Sequence, residues 1–160
     1  MILGRVGRYL AIMLLLAGVV SVVMGIVFAQ QGFAKENFLV TAMKQEQITI
    51  EGVDGIVDSA DKALLAGNTV REHRRGISPT YGDLLGGERY DPTNPKQLSY
   101  AQALNLENYL YLAVASFGIF TVVKVIGAFM IIVGLALGGT GVLLFKLART
   151  TPLTGQAKDE

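Results

Sequence analysis

The sequence predicts a mainly α-helical membrane protein: two transmembrane helices forming an antiparallel hairpin, with a small, mostly helical extracytoplasmic domain between them. Three observations predict it. Residues 125–145, VIGAFMIIVGLALGGTGVLLF, carry no charge over about the 20 residues that a bilayer core demands. Residues 9–29, YLAIMLLLAGVVSVVMGIVFA, do the same near the start. Between them Gly and Pro divide the chain into pieces that suit short helices. Only 17% of the 160 residues are charged, below the roughly 25% of a soluble domain.

Residues 1–8 form a cytoplasmic N-terminus, with Arg5 and Arg8 ahead of the first span. Lys146 and Arg149 follow the second span and open a cytoplasmic tail, residues 146–160. Basic residues gather at the cytoplasmic ends of transmembrane helices, so both termini are assigned to the cytoplasm of a multi-pass protein in the cell membrane. Lys35 and Lys44 weaken that contrast. A cleaved signal peptide is the rival reading of the first span. Val27 and Ala29 occupy acceptable −3 and −1 positions before Gln30, but an h-region usually has about 7–15 residues, and this one is longer.

Small residues recur along both spans. Gly4, Ala11, Gly18, Gly25 and Gly32 are each seven apart, and Gly127, Gly134, Gly138, Gly141 and Ala148 share one narrow face of the second span. A seven-residue repeat drifts only about 20° per heptad on a straight helix. Such a stripe lets two backbones approach closely in lipid. The sequence favours packing of the chain's own two helices on Ala11, Gly18, Gly25, Gly127, Gly134, Gly138 and Gly141. Contact with another membrane subunit is the competing use of the same stripe.

Residues 30–108 are expected outside the membrane. Phe33, Phe38, Leu39, Ala42 and Met43 continue an apolar stripe beyond the first span. Gln47 to Ile50, QITI, alternates around β-branched residues and suits a short strand. Asp58 or Ser59 caps a helix through REHRR, with Ala60, Ala63, Leu64, Val70 and Gly67 inward, ended by Gly76. Arg74 and Arg75 suit its C-terminal dipole. Ser78-Pro79 breaks the chain, and TYGDLLGG allows one more helical turn. Asn94 caps and Pro95 opens the last helix.

Residues 109–124 form an apolar helix leading into the membrane. If residues 125–145 fill the bilayer, Lys124 reaches the outer headgroups and residues 109–123 need cover from the continuation of the first helix. Sliding the span outward would instead bury Lys124, at about 2.5–3.5 kcal/mol near the centre, less whatever snorkelling recovers.

Reactive constellations are sparse. There is no cysteine, so no disulfide, thiolate nucleophile or sulfur-based metal site. His73 is the single histidine, which rules out a two-His-one-carboxylate or His-rich site within one chain; it reads as solvent-facing or capping. Glu51, Asp54, Asp58 and Asp61 lack the spacing of a calcium loop and read as dipole compensation. Arg71, Arg74 and Arg75 are candidates for headgroup contact, against the plainer reading of a solvated face. Lys124 is a candidate interfacial anchor. Gly86-Gly87 lacks the phosphate-loop pattern. The net charge of +1 gives no field that would draw nucleic acid.

QITI at 47–50, the helix over 59–75, the TY-x-x-L element at 80–84 and the LAVASFG-like run within 105–118 give the chain a resemblance. It resembles a group of short, two-span bacterial membrane proteins, mostly actinobacterial and related. Members often bear the label aromatic ring-opening dioxygenase, LigA type. The resemblance implies an architecture and carries no site over. Extradiol cleavage needs iron held by two histidines and a carboxylate, and His73 alone cannot provide that. The expectation is therefore a non-enzymatic accessory or scaffolding subunit without cofactor or metal. Its partners would be membrane lipids and other membrane subunits or a second copy, not nucleic acid. A lipid- or small-molecule-binding module is the alternative, and an enzyme the least favoured.

Overall fold

The computed structural model describes residues 2–150, and the side chains of residues 6–149. Four helices follow in order: α1 (Ile2–Glu46), α2 (Ala60–Ile77), α3 (Tyr81–Leu85) and α4 (Pro95–Thr150). No strand occurs among the described residues. At 1.5 Å per residue, the 45 residues of α1 and 56 of α4 make rods of about 67 and 84 Å. Neither contains an interior proline to bend it. Both are long and apolar enough to cross a membrane. The tail beyond residue 150, and Met1, lie outside the described residues.

The chain divides into two compact units. One comprises Met1–Gly32 and Val122–Glu160. There α1 buries a residue every seventh position, at Ala11, Gly18, Gly25 and Gly32, and α4 does so at Gly127, Gly134 and Gly141. The large side chains flanking them, Met13, Val20, Phe129, Ile132 and Leu135 among them, are exposed.

The second unit, Phe33–Thr121, has a conventional apolar core. Ala63, Ala66 and Val70 of α2 meet Leu110 and Ala113 of α4, with Val53 and Val57 from the preceding loop. Met43, Ile48 and Ile50 pack against this cluster from one side, and Ala103, Leu106 and Val114 from another. Leu110, Ala113 and Val114 of α4 thus share a cluster with α2 and its loop as well as with Met43 of α1, the helix the sequence suggested as their cover. Phe33 and Phe38 are exposed, so the apolar stripe of α1 narrows to Leu39, Ala42 and Met43, which are half-buried. Leu64 is also exposed, and Ala66 takes the inward position.

Residues 47–50 are not a strand. Gln47 ends α1 with φ +52°, its side-chain amide donating to the Lys44 carbonyl at 2.7 Å. The backbone of Ile48 and Ile50 then accepts from Val57 and Val53 within the same loop. Alternation put Ile48 and Ile50 on one side, as expected. A strand also needs a partner with free backbone groups, and the loop's own turns occupy these carbonyls.

Ser59, not Asp58, caps α2: its hydroxyl accepts from the Lys62 amide at 3.4 Å. Ser59→Ala should cost the fold about 1 kcal/mol, read as a lower thermal midpoint by circular dichroism. Thr80 caps α3, and Gly86 closes it in the left-handed conformation. Asn94 Oδ1 accepts from the amides of Lys96 and Gln97 at the start of α4.

Candidate functional site

Two places concentrate close contacts, one in each unit. The first is the glycine seam of the long-helix unit. A methyl group built on Gly18 would lie 2.7 Å from the Gly134 carbonyl oxygen and 2.7 Å from the Gly138 nitrogen. One on Gly25 would lie 2.6 Å from the Gly127 oxygen, and one on Gly127 would lie 2.7 Å from the Ala29 nitrogen. Gly141 faces the Ala11 oxygen and Leu15, each about 3.0 Å or nearer. These distances are shorter than a real side-chain carbon tolerates, so the two backbones touch because the side chains are missing. Rising numbers on α1 meet falling numbers on α4.

The backbones of all seven residues expected to pack lie along this contact. Gly138 differs. Its backbone lies beneath Gly18, but a methyl group on Gly138 itself would meet nothing within 4 Å. Residue spacing places Gly134 and Gly138 on one face, yet a four-residue step turns about 40° past a full helical turn, enough to aim one Cβ outside the seam. The Ser21 hydroxyl, which the sequence gave no reason to single out, donates to the Met130 carbonyl at 2.8 Å and adds one directed bond.

The register of this seam sets the levels of the charges. Gly127 abuts Ala29, so Lys124, one turn earlier on α4, is level with about Gln30. At the other end Gly7 approaches Ala148 at 4.0 Å, which brings Lys146 and Arg149 to the level of Arg8. Lys124 is half-buried.

The second place is a buried ion pair in the middle unit. Arg74 and Glu107 are 8% and 6% exposed. The Arg74 Nε donates to Glu107 Oε2 at 2.6 Å and Nη2 to Oε1 at 3.4 Å. Its Nη1 donates to the Tyr100 hydroxyl, and the guanidinium also lies 4.9 Å from the centre of the Tyr100 ring. The hydrogen bond to the Glu107 carboxylate raises the Arg74 pKa above its ordinary value, outweighing burial, which alone would lower it. Arg74 is therefore removed from the headgroup-contact set: it is buried, and its Nε, Nη1 and Nη2 each donate to Glu107 or Tyr100. Neither Glu107 nor Tyr100 was legible as its partner, because contacts across 33 and 26 residues leave no local periodicity.

The other basic candidates separate. Arg75 is exposed. Arg71 is half-buried, donates to Asn68 at 3.1 Å and lies over the Tyr111 ring at 5.8 Å. His73 is exposed. Among the described residues, no three His, Asp or Glu side chains gather in a way that could hold a metal.

Asp58 joins α1 to α2 through Lys44 at 3.5 Å and Lys62 at 3.3 Å. The hydrogen bond from Lys62, with help from Lys44, pulls its carboxyl below the ordinary 3.8. A carboxyl whose folded pKa is depressed stabilises the fold above its unfolded value and loses that contribution as pH falls through the folded one. Acidifying from pH 5 to pH 2 should therefore lower the thermal midpoint of the native chain more than that of Asp58→Asn. The difference should shrink in high salt, because Lys44 is 56% exposed.

No family model, curated protein or solved structure matches the chain. The seam and the ion pair thus define a class by physics alone, a helical protein with two helices long and apolar enough to cross a membrane.

Proposed function

We propose that the chain is a two-span integral membrane protein, an antiparallel hairpin that acts as a non-enzymatic accessory or scaffolding subunit of a membrane assembly. One observation carries the reading. The two charge-free segments, residues 9–29 and 125–145, lie side by side with their polar limits at matching levels, Arg8 with Lys146 and Gln30 with Lys124. A bilayer of about 30 Å of hydrocarbon imposes such paired limits; a soluble helix pair has no need of them. Exposed Met13, Val20, Phe129 and Ile132 then face acyl chains. Lys124 sits at the headgroups as an anchor, and Phe33–Thr121 stands on the extracytoplasmic side, with both termini in the cytoplasm.

The subunit role rests on the small size of that external part and on its buried charges, which are committed to each other. Native mass spectrometry of a mild-detergent extract from the source cells tests it. A stoichiometric complex with another membrane protein, or a defined homo-oligomer, supports the proposal. A monomer carrying only lipid overturns the subunit role, and recovery of the chain in the carbonate-soluble fraction overturns the membrane reading itself.

A further inference from the structure

The middle unit carries a second feature that neither the core nor the ion pair uses. An open groove of about 470 Å³ runs between Tyr81, Tyr90, Leu104 and one face of α4. Gln102, Asn105 and Asn108 line that face at intervals of three residues, and no charged side chain lines the groove. Positions three apart on a helix are neighbours, about 4.5 Å apart along the axis. Each of the three amides offers both donors and an acceptor. None of them is committed to another described side chain.

Tyr81 and Tyr90 are 41% and 36% exposed. Tyr81 is braced from behind, its ring 6.1 Å from that of Tyr100. Tyr100 is in turn fully buried and held by Arg74. An otherwise solvent-loosened aromatic face is thus held in place by the ion pair beneath it.

We propose that this groove binds a neutral saccharide. A sugar ring offers polarised C–H groups on one face, which suit the negative face of an aromatic ring. Its edge offers vicinal hydroxyls, each a donor and an acceptor, which suit a side-chain amide. The spacing of the amide row is comparable to the breadth of one pyranose ring. The uncharged lining offers nothing to balance a uronate, sulfate or phosphate, whose desolvation would go uncompensated. A shallow groove of this kind leaves little surplus over the cost of association, so binding is weak. The saccharide could be a free oligosaccharide or the headgroup of a glycolipid; the recognising chemistry is the same. The proposal uses the middle unit alone and does not depend on the subunit role.

The test uses the full chain in nanodiscs prepared without sugar-based detergent. One arm measures saturation-transfer NMR with maltotriose, mannotriose and chitotriose. The other measures binding to vesicles containing a diglucosyl diacylglycerol. Signal in either arm is expected, unchanged between low and high salt, and weakened about tenfold or more by Tyr90→Ala and by Asn105→Ala. Both side chains are exposed, so circular dichroism should report an intact fold; if Tyr90→Ala loses helix, Asn105→Ala decides. Absence of signal in both arms overturns the proposal. So does binding that survives both substitutions, or a polyproline peptide that binds while every saccharide fails.

Discussion

Replacing Gly134 by leucine should cost the long-helix unit about 3 kcal/mol or more, beyond the upper part of the range for an overpacked core. Even an alanine there would put a methyl group 2.7 Å from the Gly18 carbonyl oxygen and 2.8 Å from the Val22 nitrogen. Backbone cannot rotate aside as a side-chain end can, so the helices must part. Parting the seam forfeits every close contact along it, including the bond from Ser21 to Met130. Gly138→Ala is the matched control. It alters the same GxxxG pattern, but its methyl group points into open space, so the change should stay within about 0.5 kcal/mol. Thermal unfolding of both variants in the same detergent separates them. Equal midpoints would show that the seam is not the contact holding the unit together.

The second large effect concerns Arg74 and Glu107. Glu107→Ala leaves a guanidinium buried with only the Tyr100 hydroxyl as partner, and Arg74→Ala leaves a buried carboxylate. Breaking a buried pair from one side costs about 3–5 kcal/mol, most of it the penalty of the stranded charge. Replacing both, as Arg74→Met with Glu107→Leu, removes that penalty and should recover most of the stability. The recovery will be incomplete, since the Tyr100 hydroxyl loses its donor. Denaturant unfolding of the three variants completes the cycle. A double variant as unstable as the worse single one would show that the pair does more than compensate its own burial.

The sequence and the structure agree best where one physical signal dominates. Two charge-free runs of bilayer length, the heptad of small residues, the cap at Asn94 and the choice of Asp58 or Ser59 as the cap of α2 were all local signals, and each was legible; the cap at Thr80 was not singled out. The breaks at Ser78-Pro79 and at Asn94-Pro95 were equally so. Legibility failed where a residue's surroundings come from far along the chain. Arg74 looks like a dipole-balancing base at the end of α2, and only the fold brings Glu107 beneath it. Leu64 looks like an inner-face residue of α2, yet the fold leaves it exposed and sets Ala66 in the cluster with Val57, Leu110 and Ala113. The QITI segment has the alternation of a strand but no strand to pair with. At Gly138 the failure is finer: the pattern names the right face of the helix, and the pitch of the backbone aims the Cβ past its edge.

The seam has a further consequence for how the two rods find their alignment. Glycine repeats every seven residues, so sliding α4 along α1 by one heptad would again set small residues against small: Gly25 on Gly134 and Gly18 on Gly141, or the reverse displacement. The glycines by themselves are a comb that meshes equally well at several teeth. On the proposed two-span reading, Lys124 and Lys146 are the end stops, because a slide one way would drag the first toward mid-bilayer and a slide the other way would drag the second. Removing both ammonium groups should therefore leave the mesh intact while freeing the alignment to settle a notch away.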